Sequence, residues 1–267
     1  MAISNVAVKK TAKTALQGRW VECIAVALLF LFSSFVGYLA AGLLSGVFPF
    51  TGTYVVLRIL FGLLLDIPLL FGVLRFYWRV LWGAEDRFTI CFFYFADKKQ
   101  YVRALKTVLL ILGRVALLGI VLFAPAILID LFSGESIYKL LHIARPEWLG
   151  NLWLLSRVLK VFAATVLFLS SLRYYMAPFL LLVNEELEPL EILHVSQTAS
   201  KQTVIEFVWF TVSFLGWILA SFFVVPLLYT LPYMGAAYLV HCRFVTAQYN
   251  RKLQQQKKSD PTVFTAE

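Results

Sequence analysis

The sequence predicts an all-α fold: a polytopic membrane helix bundle of about six transmembrane helices, built as three repeats of an interfacial amphipathic helix plus a helical hairpin. Three observations carry this. Of 267 residues, 61% are hydrophobic and only 15% charged, with a mean hydropathy of +0.80; a soluble domain is usually about 45–50% apolar and about 25% charged. Apolar runs recur at the length of about 20 residues that a helix needs to cross a hydrocarbon layer of ~30 Å. The pattern Leu-Arg-aromatic-Tyr occurs twice, in LRFYWRVL (Leu74 to Leu81) and LRYYMAPF (Leu172 to Phe179), each time closing such a run.

The runs, in order, start with Ile24 to Leu44, which is free of charge. Lys9, Lys10, Lys13 and Arg19 precede it as they would a signal peptide, but the run far exceeds the ~7–15 residues of a signal h-region, so an uncleaved first span is expected. Val55 to Leu81 holds Arg58, Asp66, Pro68, Arg75 and Arg79. Val108 to Ile129 is interrupted only by Arg114 and Pro125, and Val161 to Val183 contains Arg173. Phe207 to Leu231 is again charge-free and leads straight into Pro232 to Val240. Proline cannot donate its backbone hydrogen bond, so a turn near Val225-Pro226 is expected to divide this last region into two helices. Residues 1–253 then form one integral-membrane domain and residues 254–267, which include Gln254 to Lys258, a disordered cytoplasmic tail.

The net charge is +9, from 24 Lys and Arg against 15 Asp and Glu. No soluble basic domain exists to carry nucleic acid, and the excess fits loops that face anionic headgroups. Six crossings place eighteen Lys and Arg on the side of both termini and five on the other, which puts both termini in the cytoplasm. Cys23, Cys91 and Cys242 are far apart and form neither a disulfide framework nor a zinc pattern.

The repeated motif reads as a membrane boundary. Arg75, Tyr77 and Trp78 close one span, Arg173, Tyr174 and Tyr175 another, and Arg243 beside Phe244 the last. Aromatic rings settle at headgroup depth and a guanidinium snorkels to phosphate; the functional alternative is that Arg75 and Arg173 hold a particular anionic lipid or substrate group. An acidic turn follows each of the first two copies, then a stretch with helical spacing. Phe88, Phe92 and Phe95 line one such face and Ile192, Val195 and Ala199 the other, with Pro189 suited to the first helical position. Val8, Ala12 and Ala15 line the corresponding face near the N-terminus. Membrane lipids are the expected partners, with a second copy or another membrane protein left open.

Charges within the bilayer are the best pointers to chemistry, since each costs a few kcal/mol. Asp66 lies two residues before Pro68, which leaves a carbonyl free nearby, and Arg114 lies inside the third span. Together they form a candidate intramembrane ion pair, read either as a lock on helix register or as a gate. Asp130 is expected to meet Arg157 or Lys160. His142, His194 and His241 show no metal-ligand spacing, and no catalytic motif is present, so no catalytic residue, metal or cofactor is assigned.

Glu188-Pro189-Leu190-Glu191-Ile192-Leu193-His194-Val195-Ser196, Phe214-Leu215-Gly216-Trp217, Pro232-Tyr233 with Ala236, Ala237 and Tyr249, and the opening Ala12, Ala15, Leu16, Gly18 and Trp20 resemble a bacterial integral-membrane family known as domain of unknown function 975. Where that family has a glycine after the amphipathic helix, this chain has Ser200-Lys201-Gln202-Thr203, so the helix is expected to run on with less of a break. The resemblance implies six helices in a bacterial cytoplasmic membrane and supplies no site residues. The function expected first is non-enzymatic: organising lipid or supporting other membrane proteins. The alternative is a small transporter for a small or amphiphilic solute with Asp66 and Arg114 in its path, and an intramembrane enzyme ranks third.

Overall fold

The computed structural model describes residues 4–48, 50, 52–84, 88–133 and 152–259, and all regular structure among them is helical. The order is α1 (Asn5–Leu16), α2 (Trp20–Val47), α3 (Thr53–Leu81), α4 (Phe93–Ala96), α5 (Lys98–Ser133), α6 (Leu152–Ser171), α7 (Ala177–Val183), α8 (Pro189–Ser200), α9 (Val204–Val212), α10 (Leu215–Ala220) and α11 (Val224–Ser259). The chain forms two compact bodies, one of residues 1–107 and 176–267, the other of residues 108–175.

Among the described residues, four stretches are long and apolar enough to cross a membrane: Trp20–Val47, Thr53–Leu81, Lys98–Ser133 and Leu152–Val183. They contain the first four predicted runs. Large apolar side chains on them remain uncovered, with Phe32 66%, Leu117 68% and Phe162 64% exposed. Such surfaces suit hydrocarbon as solvent, and the helices satisfy their own backbone there.

The fifth region differs from expectation. The predicted run from Phe207 to Leu231 is interrupted at Ser213-Phe214 and again at Ser221 to Phe223. Helices α9 and α10 have nine and six residues, or ~14 and ~9 Å. The second break precedes the predicted one because Pro226 falls in the first turn of α11, where no backbone N–H needs a partner. Pro232 lies inside α11 without ending it. That helix also carries residues 254–259, expected as disordered tail; residues 260–267 lie outside those described.

In the first body, Ser4 caps α1 by accepting the Ala7 N–H at 3.4 Å. Val8, Ala12 and Leu16 are fully buried on one face, with Leu16 where Ala15 was expected. Gly18 then takes φ of 84°, a left-handed turn that side-chain-bearing residues resist, and α2 starts at Trp20. The half of α3 after Pro68 is the centre of the body, burying Leu69, Phe71, Val73, Phe76, Tyr77 and Val80. Against it lies a 3₁₀ turn, Phe88–Phe92, so close that a Cβ on Gly72 would sit 1.8 Å from the Cys91 carbonyl oxygen. Here the amphipathic helix expected on Phe88, Phe92 and Phe95 is replaced by this turn and the single turn of α4. Cys91 and Tyr94 are the buried residues, and the three phenylalanines face outward.

Helix α8 begins with a capping box between Glu188 and Glu191, whose side chain accepts the Glu188 N–H at 3.0 Å. Ile192, Leu193, Ser196 and Ala199 are buried. The helix does not run on: residues 201–203 form a turn, and α9 starts at Val204. Small residues Ala236 and Ala237 are buried on α11, while Trp20 stacks on Tyr229 at 4.1 Å and His241 on Phe210 at 4.8 Å.

The second body pairs the end of α5 with α6. Gly119 faces Leu167, and Ser156 Oγ donates to the Ala126 carbonyl at 3.2 Å. Pro125 sits within α5 without ending it.

Candidate functional site

Among the described residues, α3 gathers polar chemistry inside an apolar helix. Residues Gly62–Asp66 form a π-turn, with the Ile67 N–H bonded to the Gly62 carbonyl. Such a turn adds one residue to the helix. At about 100° per residue, position i+8 of a regular helix points about 80° away from position i; the added residue makes it behave as i+7, about 20° off. Asp66 is thereby turned onto the face of Arg58. Arg58 donates to Asp66 Oδ2 at 2.8 Å and to Ser34 Oγ of α2 at 3.0 Å, and the Ser34 hydroxyl lies 3.3 Å from Asp66 Oδ2. Asp66 Oδ1 is buried and accepts no hydrogen bond among the described residues.

Pro68 completes the site. Without an N–H it cannot serve the Leu64 carbonyl four residues back, and the Tyr101 hydroxyl donates there at 3.1 Å. The carbonyl that the sequence predicts to be free near Asp66 is thus Leu64's, and its partner is a residue that sequence reasoning missed. Arg58 was also missed as the partner of Asp66, because an (i, i+8) pair has no meaning on a regular helix. Arg114 lies in the second body and is exposed.

The motif residues at the end of α3 are held internally. Arg75 donates to Glu185 Oε1 at 2.5 Å, and its guanidinium lies 3.7 Å from the Phe93 ring centre. Tyr77 is buried, donating to the Cys23 carbonyl at 3.2 Å. Trp78 packs edge-on against Trp82 and Phe179. Arg243 lies 3.8 Å over the Trp82 ring. The second copy has another conformation: Leu172–Tyr174 is a 3₁₀ turn, with Arg173 exposed and Tyr175 buried.

Arg103, which sequence reasoning passed over, is 7% exposed. It donates to the carbonyls of Leu181 at 3.3 Å, Leu187 at 2.8 Å and Asn184, and to Gln100 Oε1 at 3.0 Å. These carbonyls end α7 and line the following turn, where orphan acceptors and the helix dipole favour a cation. In the second body Asp130 accepts from Lys160 and Ser156, while Arg157 lies 5.2 Å over the Trp153 ring. Of the two partners expected for Asp130, Lys160 is the one that bonds to it.

Burial disfavours the ionised forms beside α3: the Cys91 thiol is pushed up to about 11 and the Tyr94 phenol is raised above its ordinary 10.0. Cys23, Cys91 and Cys242 are all buried free thiols. His142 falls outside the described residues, and among those described no three His, Cys, Asp or Glu gather as metal ligands do. The arrangement can fix helix register and clamp turns onto helix ends. The family described as "Protein of unknown function (DUF975)" matches residues 1–249, and the chain belongs to that family. No curated protein and no solved structure matches it.

Proposed function

We propose that this member of the DUF975 family is a non-enzymatic protein of a bacterial cell membrane that organises lipid and so supports its membrane neighbours. In this reading the chain crosses six times, α9 with α10 and then α11 supplying the last two passages. Both termini, α1, α4 and α8 lie on the cytoplasmic side, each surface element opening one unit of the repeat. The observation that carries the reading is the segment before α5. Cys91 and Tyr94 fasten it to α3, Phe88, Phe92 and Phe95 are 49%, 46% and 39% exposed, and Lys98 and Lys99 follow. Outward aromatics beside cations, on a fastened scaffold, form a wedge for the headgroup layer.

The test is the protein reconstituted in bilayer nanodiscs, with lipid order read by a headgroup-region probe. Wild type is expected to order the cytoplasmic-side lipids more than a Phe88→Ser/Phe92→Ser/Phe95→Ser variant of equal fold. Equal order for both would contradict the reading. The second reading, a transport path, is favoured by Asp66 Oδ1, a buried acceptor beside a π-turn. It requires that Asp66→Asn abolish solute flux while leaving the folded protein intact.

A further inference from the structure

A groove of about 670 Å³ runs between the start of α1, the turn at 201–203, the first turn of α9 and residues 244–252 in the second half of α11. Its lining divides by chemistry along α11. Phe244 forms an apolar wall, and Arg251 and Lys252 stand two turns on, ~10 Å along the axis. Glu206 of α9 enters from the other side. Its Oε2 is buried and accepts no hydrogen bond among the described residues. Lys252 donates to Gln202, which also lines the groove.

A buried carboxylate oxygen without a donor calls for one, and a compact ammonium is the strongest that such a space accepts. Arg251 and Lys252, which line the same groove, call for an anion. One molecule supplies both when it carries a primary ammonium and a phosphodiester a few bonds apart, with a hydrocarbon chain for Phe244. We infer that this groove binds an amine-bearing zwitterionic phospholipid headgroup, the ammonium on Glu206 and the phosphate on Arg251 and Lys252. This inference rests on the proposed lipid-organising function and names its lipid class. The size suits it, since small-molecule sites span roughly 300–1,000 Å³.

The experiment uses the full chain in nanodiscs holding equal amounts of phosphatidylethanolamine and phosphatidylglycerol, with retained lipid counted by native mass spectrometry. Wild type is expected to enrich the ethanolamine lipid about tenfold, the scale of one charge-assisted hydrogen bond. Glu206→Gln is expected to erase that preference, and Arg251→Gln to lower retention of both lipids. Ala7→Trp, at an exposed position on the groove wall, keeps the test open where Glu206→Gln fails to fold, and is expected to erase the preference by filling the space. Displacement by free phosphoethanolamine would support the same chemistry with a soluble source; retention in its presence supports the lipid. Equal retention of the two lipids by wild type, or unchanged preference in Glu206→Gln or Ala7→Trp, would overturn the inference while leaving lipid organisation standing. A protein that retained neither lipid would end both.

Discussion

Arg58 meets Asp66 at 2.8 Å across eight positions of one helix, a pairing that only the π-turn between them makes possible. The two side chains are 32% and 13% exposed, so the pair lies between a surface bridge worth ~0–1 kcal/mol and a buried one. Arg58→Met is expected to cost about 2 kcal/mol, because it leaves the Asp66 carboxylate with the Ser34 hydroxyl in place of a charged partner. Arg58→Met with Asp66→Leu should recover most of that loss. Thermal unfolding in detergent of the two singles and the double measures the coupling.

The Tyr101 hydroxyl stands in for the N–H that Pro68 lacks. Tyr101→Phe is expected to cost about 1 kcal/mol, the worth of one hydrogen bond whose acceptor is left behind. In a Pro68→Ala background the alanine introduced there brings a backbone N–H within reach of the Leu64 carbonyl. The cost of Tyr101→Phe should then fall to near zero, and the same unfolding assay reads it.

Gly72 has no room for a methyl group, since the Cys91 carbonyl would lie 1.8 Å from it. Gly72→Ala should cost about 3 kcal/mol or more by overpacking, with the 88–92 turn displaced from α3. Gly42 of α2 meets nothing within 4 Å, and Gly42→Ala should be neutral or stabilise by up to ~1 kcal/mol through helix propensity. Expression and melting temperature of the pair separate close approach from a generic glycine effect.

Burial holds the Cys91 thiol neutral, raising it from an ordinary 9.0 to about 11. A raised value in the folded state means stability is fully present below about 9 and is lost as pH climbs toward about 11, where the unfolded chain ionises first. A maleimide is therefore expected to leave Cys91 unmodified at pH 8 in native protein and to label it on unfolding, as peptide mass mapping would show. Labelling in native protein would place the 88–92 turn away from α3.

Much of this architecture was legible in the sequence because hydrocarbon imposes a simple rule, about 20 apolar residues per crossing. The first four spans obey it. The region after Thr203 was less legible because its breaks, at Ser213-Phe214 and at Ser221 to Phe223, involve serine and phenylalanine rather than glycine or proline. Pro68 announced a free carbonyl, but nothing in the spacing named Tyr101, 37 positions from Leu64. Arg75 and Tyr77 read as interface residues by composition, yet Tyr77 faces the packed side of α3 and Arg75 finds Glu185, 110 positions away. Local patterns report which solvent a helix prefers; they do not report which long-range partner a polar side chain takes.

The account depends on α8 and its flanking turns lying on the cytoplasmic side, where the headgroup wedge and groove would work. Single cysteines at the exposed positions Thr198 and Trp153 test this directly in intact cells, against a background whose own thiols are buried. A membrane-impermeant maleimide is expected to label Trp153→Cys from outside and Thr198→Cys only after the membrane is opened. Labelling of Thr198→Cys in sealed cells would contradict the account.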